Sequence, residues 1–312
     1  MNNTIPELCR KKAVESLFST ATMRNAWAVW KPKIREILGE NPSHSDILNL
    51  GDRLGEIFTT TGEAGRSQSS VSGGGTAWES LVCWYINLCT AGSRIVAFRK
   101  MSEVPKPIQN AITVNYGNFA CNTESDITVV IFPDIQEYTT DIDDLNVLND
   151  EGEAFQLIRK SQLNMNVVNF LCERDFPNYE IGVIQCKTNW NDNAQIPMLW
   201  DMIYSANGFR GRNITIGREG YNIHDTNNFS YAFVTVPSNK NQKYKQDSVA
   251  VKRVTNLSGG NYWGKDSEMN VARSLKEIFN NNYSNGFASS LREDIRNSML
   301  HHNAALSYFD II

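Results

Sequence analysis

The stretch YEIGVIQCK, from Tyr179 to Lys187, constrains the fold more than any other part of the chain. Side chains alternate along a strand, so Ile181, Val183, Gln185 and Lys187 share one face while Gly182, Ile184 and Cys186 take the other. Both faces are apolar until the strand ends, the pattern of an interior strand covered on both sides. Such a strand needs helices above and below its sheet. The expected class is therefore α/β, a mixed central β-sheet flanked by helices, with further helices at the N- and C-terminal ends. A chain of 312 residues, 41% hydrophobic, is long enough to bury a sizeable core in one unit.

The remaining pattern fills in this outline. Residues 6–39 and 46–59 read as helical from the spacing of Leu8, Ala13, Leu17, Trp27, Trp30, Ile34 and Ile37, with Gly39 as a stop. TTTGEAGRSQSSVSGGG, residues 59–75, reads as a loop. A helix apolar around nearly its whole circumference then starts at Thr76 and runs to Cys89. ITVVIF, residues 127–132, reads as a buried strand, residues 133–153 as an acidic solvated loop, and 152–172 as a helix. Further strands are expected at 213–217 and 230–236, and helices at 266–280 and 287–308. The expected division is an N-terminal helical region (1–58), a central core (59–240) and a C-terminal helical region (241–312) packed on that core.

Composition removes several classes of function. The net charge of −4 gives no overall basic field, so a nucleic-acid partner would have to be met by a local groove. The six cysteines show no zinc spacing, and several lie in apolar runs, so they are expected to be reduced and mostly buried. Leu81 to Cys89, the longest strongly apolar stretch, cannot span a bilayer, and the first residues lack the apolar segment of a signal peptide; no membrane partner and a cytoplasmic location are expected. No GxGxxG, P-loop or GxSxG motif occurs. The four histidines show no partner spacing for nucleophilic catalysis.

Three features carry candidate chemistry. Asp126 opens one apolar strand, and Gln185 and Lys187 close another where the core stops. Glu79 lies on the apolar helix, where two readings remain open: Thr76 and Glu79 have the spacing of a capping box, and Glu79 also suits a carboxylate at the edge of a site. A carboxylate on one strand and an oxygen donor on its neighbour can hold a hard cation such as Mg²⁺. A lysine beside them can orient an attacking water or balance charge on a phosphate.

With Ser125-Asp126 before ITVVIF, Gln185-Cys186-Lys187 at a strand end and Glu79 upstream, the sequence resembles the PD-(D/E)XK nucleases, and within them the type II restriction endonucleases. The usual proline before the aspartate is Ser125 here, and the usual acid two before the lysine is Gln185. Glutamine keeps an oxygen donor but removes a charge that Glu79 would restore. SGGNYWG, residues 258–264, also looks like a stretch from restriction-enzyme sequences. The resemblance implies a restriction-endonuclease-like core and a Mg²⁺-dependent, site-specific endonuclease acting on double-stranded DNA as a homodimer. Asp126, Gln185, Lys187 and Glu79 would be catalytic, with Asp126, Gln185, Cys186 and Glu79 around the metal. Alternatives are a repair or junction-resolving nuclease of the same superfamily, or a non-catalytic DNA-binding protein.

DNA contacts are expected from polar loops. Asn189, Asn191 and Asn193 follow the lysine directly, and amide side chains read adenine edges well. Arg210, Arg212, Lys240 and Lys243, with Lys245, Lys252 and Arg253, are candidate phosphate contacts.

Overall fold

A computed structural model describes residues 3–40, 42–63, 71–122, 125–188, 195–209, 211, 213–236, 247–254, 261–262 and 307–311. In chain order the helices are α1 (Ile5–Phe18), α2 (Ala21–Leu38), α3 (His44–Leu50), α4 (Leu54–Glu63), α5 (Val71–Cys89), α6 (Lys106–Ala111), α7 (Gln136–Thr139), α8 (Met165–Arg174), α9 (Gln195–Ser205) and α10 (Val249–Val254). The strands are β1 (Ile95–Phe98), β2 (Val114–Tyr116), β3 (Phe119–Cys121), β4 (Ile127–Ile131), β5 (Ile158–Arg159), β6 (Gln162–Leu163), β7 (Glu180–Lys187), β8 (Ile214–Ile216), β9 (Asn228–Thr235) and β10 (Asn261–Tyr262).

The fold is mixed α/β around a five-stranded sheet in the order β1-β4-β7-β9-β10. β1 and β4, and β4 and β7, pair antiparallel; β7 and β9, and β9 and β10, pair parallel. β7 is thus the central strand, as its two apolar faces require. One face carries Ile127, Val129, Ile184 and Cys186 against Trp30, Trp78, Leu81 and Trp84 of α2 and α5. The other carries Val130, Ile181 and Val183 against Cys9 of α1, Ile108 of α6 and Val168 and Leu171 of α8. The alternation read along the strand is the partition of the two cores.

Local signals set many of the boundaries. Thr4 caps α1 by accepting the N–H of Glu7, and Ser43 and Asp46 form a capping box at α3. The helical pattern of residues 6–39 is broken at Ser19 and Thr20, where the Thr20 side chain accepts the N–H of Met23 and starts α2. Gly39 ends that helix at φ 70°.

Several expectations are corrected. Residues 152–172 are not one helix. They contain the β5/β6 hairpin, turned by Lys160 and Ser161 at positive φ, and α8 starts only after Asn164 accepts the N–H of Asn166. The expected loop 59–75 is shortened from both ends, because α4 continues to Glu63 and α5 begins at Val71. The strand expected at 213–217 is present as β8, which pairs with β2 in a separate three-stranded sheet of order β3-β2-β8. β1 was not expected from the sequence. The expected helices at 266–280 and 287–308 lie outside the described residues, apart from 307 and 308, which belong to a 3₁₀ turn, Ser307–Phe309.

Beneath the sheet edge, Arg10 is fully buried and donates to Glu7 at 2.7 Å and to the carbonyls of Ser93 and Ile95 at 2.8 and 2.7 Å. Tyr308 donates to Glu7, and Asp310 accepts from Trp27 and Lys31, at 2.8 and 2.7 Å. This polar knot ties residues 307–311 to α1 and α2. Among the described residues, no helix is long and apolar enough to cross a membrane.

Candidate active site

Asp126 stands one residue before β4. The register pairs Ile127 with Ile184, so the same antiparallel alignment carries Asp126 opposite Gln185. Its Oδ2 accepts the backbone N–H of Cys186 at 2.7 Å. The carboxylate is therefore fixed to β7 at the point where the two strands part.

Gln185 and Lys187 share the face of Ile181 and Val183. Gln185 is fully buried, and its Oε1 accepts the hydroxyl of Tyr231 on β9 at 2.9 Å. Lys187 is the last residue of β7 and half-buried, opposite Thr235 of β9. Its own carbonyl accepts the N–H of Val236 at 3.3 Å, which keeps β7 and β9 together to the very end.

Cys186 points the other way, into the core with Ile184. Burial pushes its thiol well above the ordinary range; the negative charges of Asp126 and Glu79 push it further, and Lys187 opposes them. Within the expected site, the backbone N–H of Cys186 serves Asp126, while its side chain is buried among the core residues. Charges at Glu79, Asp126 and Lys187, scattered in sequence, all act on this one buried sulfur.

Glu79 lies in the middle of α5, which begins eight residues before it at Val71, so it does not close a capping box at Thr76. The Thr76 carbonyl instead accepts the hydroxyl of Ser80 at 2.7 Å. Glu79 is paired with Arg99, just past β1, at 3.4 Å, and its side chain is 21% exposed. The capping reading is excluded by the longer helix; a carboxylate near the end of the sheet remains.

These donors suit a hard cation in kind, since Mg²⁺ takes oxygen ligands, keeps several waters and is commonly held by one or two carboxylates. Asp126 and Glu79 are the carboxylates that would hold it. Among the described residues, no group of three or more His, Cys, Asp or Glu side chains could hold a metal ion.

Tyr231 and Arg99 were missed from the sequence. Tyr231 sits in an apolar run, SYAFVTV, where an aromatic reads as core, and only the parallel β7/β9 pairing gives its hydroxyl a meaning. The candidate DNA contacts Asn189, Asn191, Asn193, Arg210, Arg212, Lys240 and Lys243, with Lys245, lie outside the described residues. Lys252 and Arg253 are in the last turn of α10.

No protein-family model matches the sequence, and a search of curated proteins finds no match to it. The functional reading therefore rests on the arrangement of these residues and on the resemblance of their short motifs.

Proposed function

We propose that this protein is a Mg²⁺-dependent phosphodiesterase that cuts double-stranded DNA at specific sites, in the manner of the PD-(D/E)XK restriction endonucleases it resembles. The observation that carries this reading is the hydrogen bond from the Cys186 N–H to Asp126 Oδ2 at 2.7 Å, which sets that carboxylate beside the end of β7 that bears Lys187. A lysine and two acids at the edge of a sheet, with an apolar core behind them, are the parts such chemistry uses. The finer fold assignment, restriction-endonuclease-like, belongs to the same proposal, as do the homodimer and the cytoplasmic location.

In this mechanism Asp126 is held in place by the Cys186 N–H, and Lys187 stands on the neighbouring strand to orient the attacking water or to meet the charge that builds on the phosphate. Bound Mg²⁺ would polarise the scissile phosphate and lower the proton affinity of a coordinated water. Glu79 supplies the second negative charge, which Arg99 partly balances until a cation arrives.

Incubating several plasmids with the protein in Mg²⁺ and sequencing the ends tests the proposal. Discrete fragments with common end sequences support a site-specific endonuclease. Cutting confined to branched or damaged DNA favours the repair alternative. Binding without cutting by a well-folded protein favours the non-catalytic one. Lys187→Ala is expected to remove cleavage while leaving DNA affinity within about twofold, since it acts in the transition state rather than in binding. Sedimentation with and without a cleavable duplex reads the oligomeric state.

A further inference from the structure

We infer that Gln185 and Tyr231 form a positioning pair beneath Asp126 and Lys187, and that Gln185 is not a cation ligand; this rests on the phosphodiesterase reading and assigns roles within that same site. The side-chain oxygen that the sequence offers to a metal is already the acceptor of the Tyr231 hydroxyl, at 2.9 Å. Both residues are fully buried. A magnesium ion that retains several waters needs open space around its ligands, and a wholly buried amide leaves none.

The register shows what the pair controls. In the parallel β7/β9 ladder, Tyr231 stands opposite Val183, Phe233 opposite Gln185, and Thr235 opposite Lys187. Tyr231 to Gln185 is therefore a diagonal tie between strands, one pleat below Lys187. Tyr231 is itself braced: its ring packs on Tyr204 at 5.9 Å, and the Tyr204 hydroxyl donates to the Ile112 carbonyl at 2.9 Å. Gln185 directly precedes Cys186, whose N–H holds Asp126 at 2.7 Å, and stands two residues before Lys187. A side chain anchored on β9 thus fixes the backbone that carries both functional groups. The neutral amide also explains the departure from an acid at this position. Gln185 accepts from Tyr231 without placing a second buried negative charge opposite Asp126.

The test uses the full chain, uniformly labelled with ¹⁵N, and Ca²⁺ as the probe cation. The Gln185 carboxamide signals are identified by their loss in Gln185→Met. We expect Tyr231→Phe to move these signals, and saturating Ca²⁺ to shift the backbone amides around Asp126 while leaving the carboxamide in place. In cleavage assays, Tyr231→Phe and Gln185→Met should each lower kcat about tenfold through misplacement of Asp126 and Lys187, with the Mg²⁺ midpoint and the DNA affinity unchanged. A carboxamide that shifts on Ca²⁺ binding, or a raised Mg²⁺ midpoint in either variant, makes Gln185 a ligand and overturns the inference. A carboxamide unmoved by Tyr231→Phe overturns the pairing while cleavage by the wild type stands. Absence of cutting by the wild type instead overturns the phosphodiesterase reading, and the carboxamide response still decides the pairing. Should Gln185→Met fail to fold, Tyr231→Phe, which removes one oxygen only, carries the measurement, and Gln185→Glu supplies the signal assignment.

Discussion

Asp126 accepts the backbone N–H of Cys186 through Oδ2 at 2.7 Å, so one carboxylate both closes the β4/β7 junction and presents the acid of the candidate site. Structure and chemistry are separable here by choice of substitution. Asp126→Asn keeps an oxygen that can accept this N–H but loses the charge, so its unfolding free energy should stay near wild type while cleavage disappears. Asp126→Ala also removes the acceptor, and should cost about 1–3 kcal/mol in urea unfolding. Normal cutting by Asp126→Asn would remove this residue from the chemistry.

Glu79 and Arg99 form an ion pair at 3.4 Å with both side chains mostly covered. If Glu79 supplies charge to a cation, Glu79→Gln should raise the Mg²⁺ concentration needed for half-maximal cleavage, and Arg99→Gln should lower it by freeing the carboxylate. Opposite movements of the two midpoints in a metal titration are the expected result. Identical midpoints for wild type and both variants would reduce the pair to a structural contact.

Arg10 is fully buried and serves Glu7 and two backbone carbonyls at once. Removing one partner of a buried ion pair leaves the other charge uncompensated, so Arg10→Ala should destabilise the protein by about 3–5 kcal/mol. Tyr308→Phe loses only the hydroxyl that reaches Glu7, and should cost about 1 kcal/mol. Urea denaturation of the two variants against wild type checks both the order and the size.

Glu56 is held by Arg53 and Lys33, and hydrogen bonding to Arg53 first, then to Lys33, brings its carboxyl down to about 2. A carboxylate with a lowered folded-state pKa contributes stability that is present above its unfolded value and is lost as pH falls toward its folded one. The contribution should therefore persist at neutral pH and fade between about pH 4.5 and about pH 2. The pair is solvent-exposed, so the effect is small. Melting temperatures of wild type and Glu56→Gln should differ slightly at pH 6 and converge at pH 2; a constant difference would show that the ion pair is not its source.

The apolar run before Gln185 was enough to give an interior strand, because period-2 alternation with both faces apolar has few other meanings. Residues 152–172 misled because the apolar spacing of Phe155, Leu157, Ile158 and Leu163 fits a helix as well as a hairpin. The choice was made by a turn at Lys160 and Ser161 that the pattern does not encode. A cap was one of two readings open for Glu79 because Thr76 lies three residues before it. That spacing lost its meaning once α5 began at Val71.

By itself, then, the sequence determined the α/β class, the burial of both faces of β7, and the identity of Asp126 and Lys187 as residues at the edges of apolar elements. These follow from periodicity and from where apolar runs stop, which neighbours along the chain are sufficient to define. Tertiary structure alone decided that β4 lies antiparallel on one side of β7 and β9 parallel on the other. With that pairing came the hold of Cys186 on Asp126 and of Tyr231 on Gln185. Hydrogen bonds between residues 46 and 60 positions apart depend on strand register, and register is set by the packing of whole faces rather than by any local stretch.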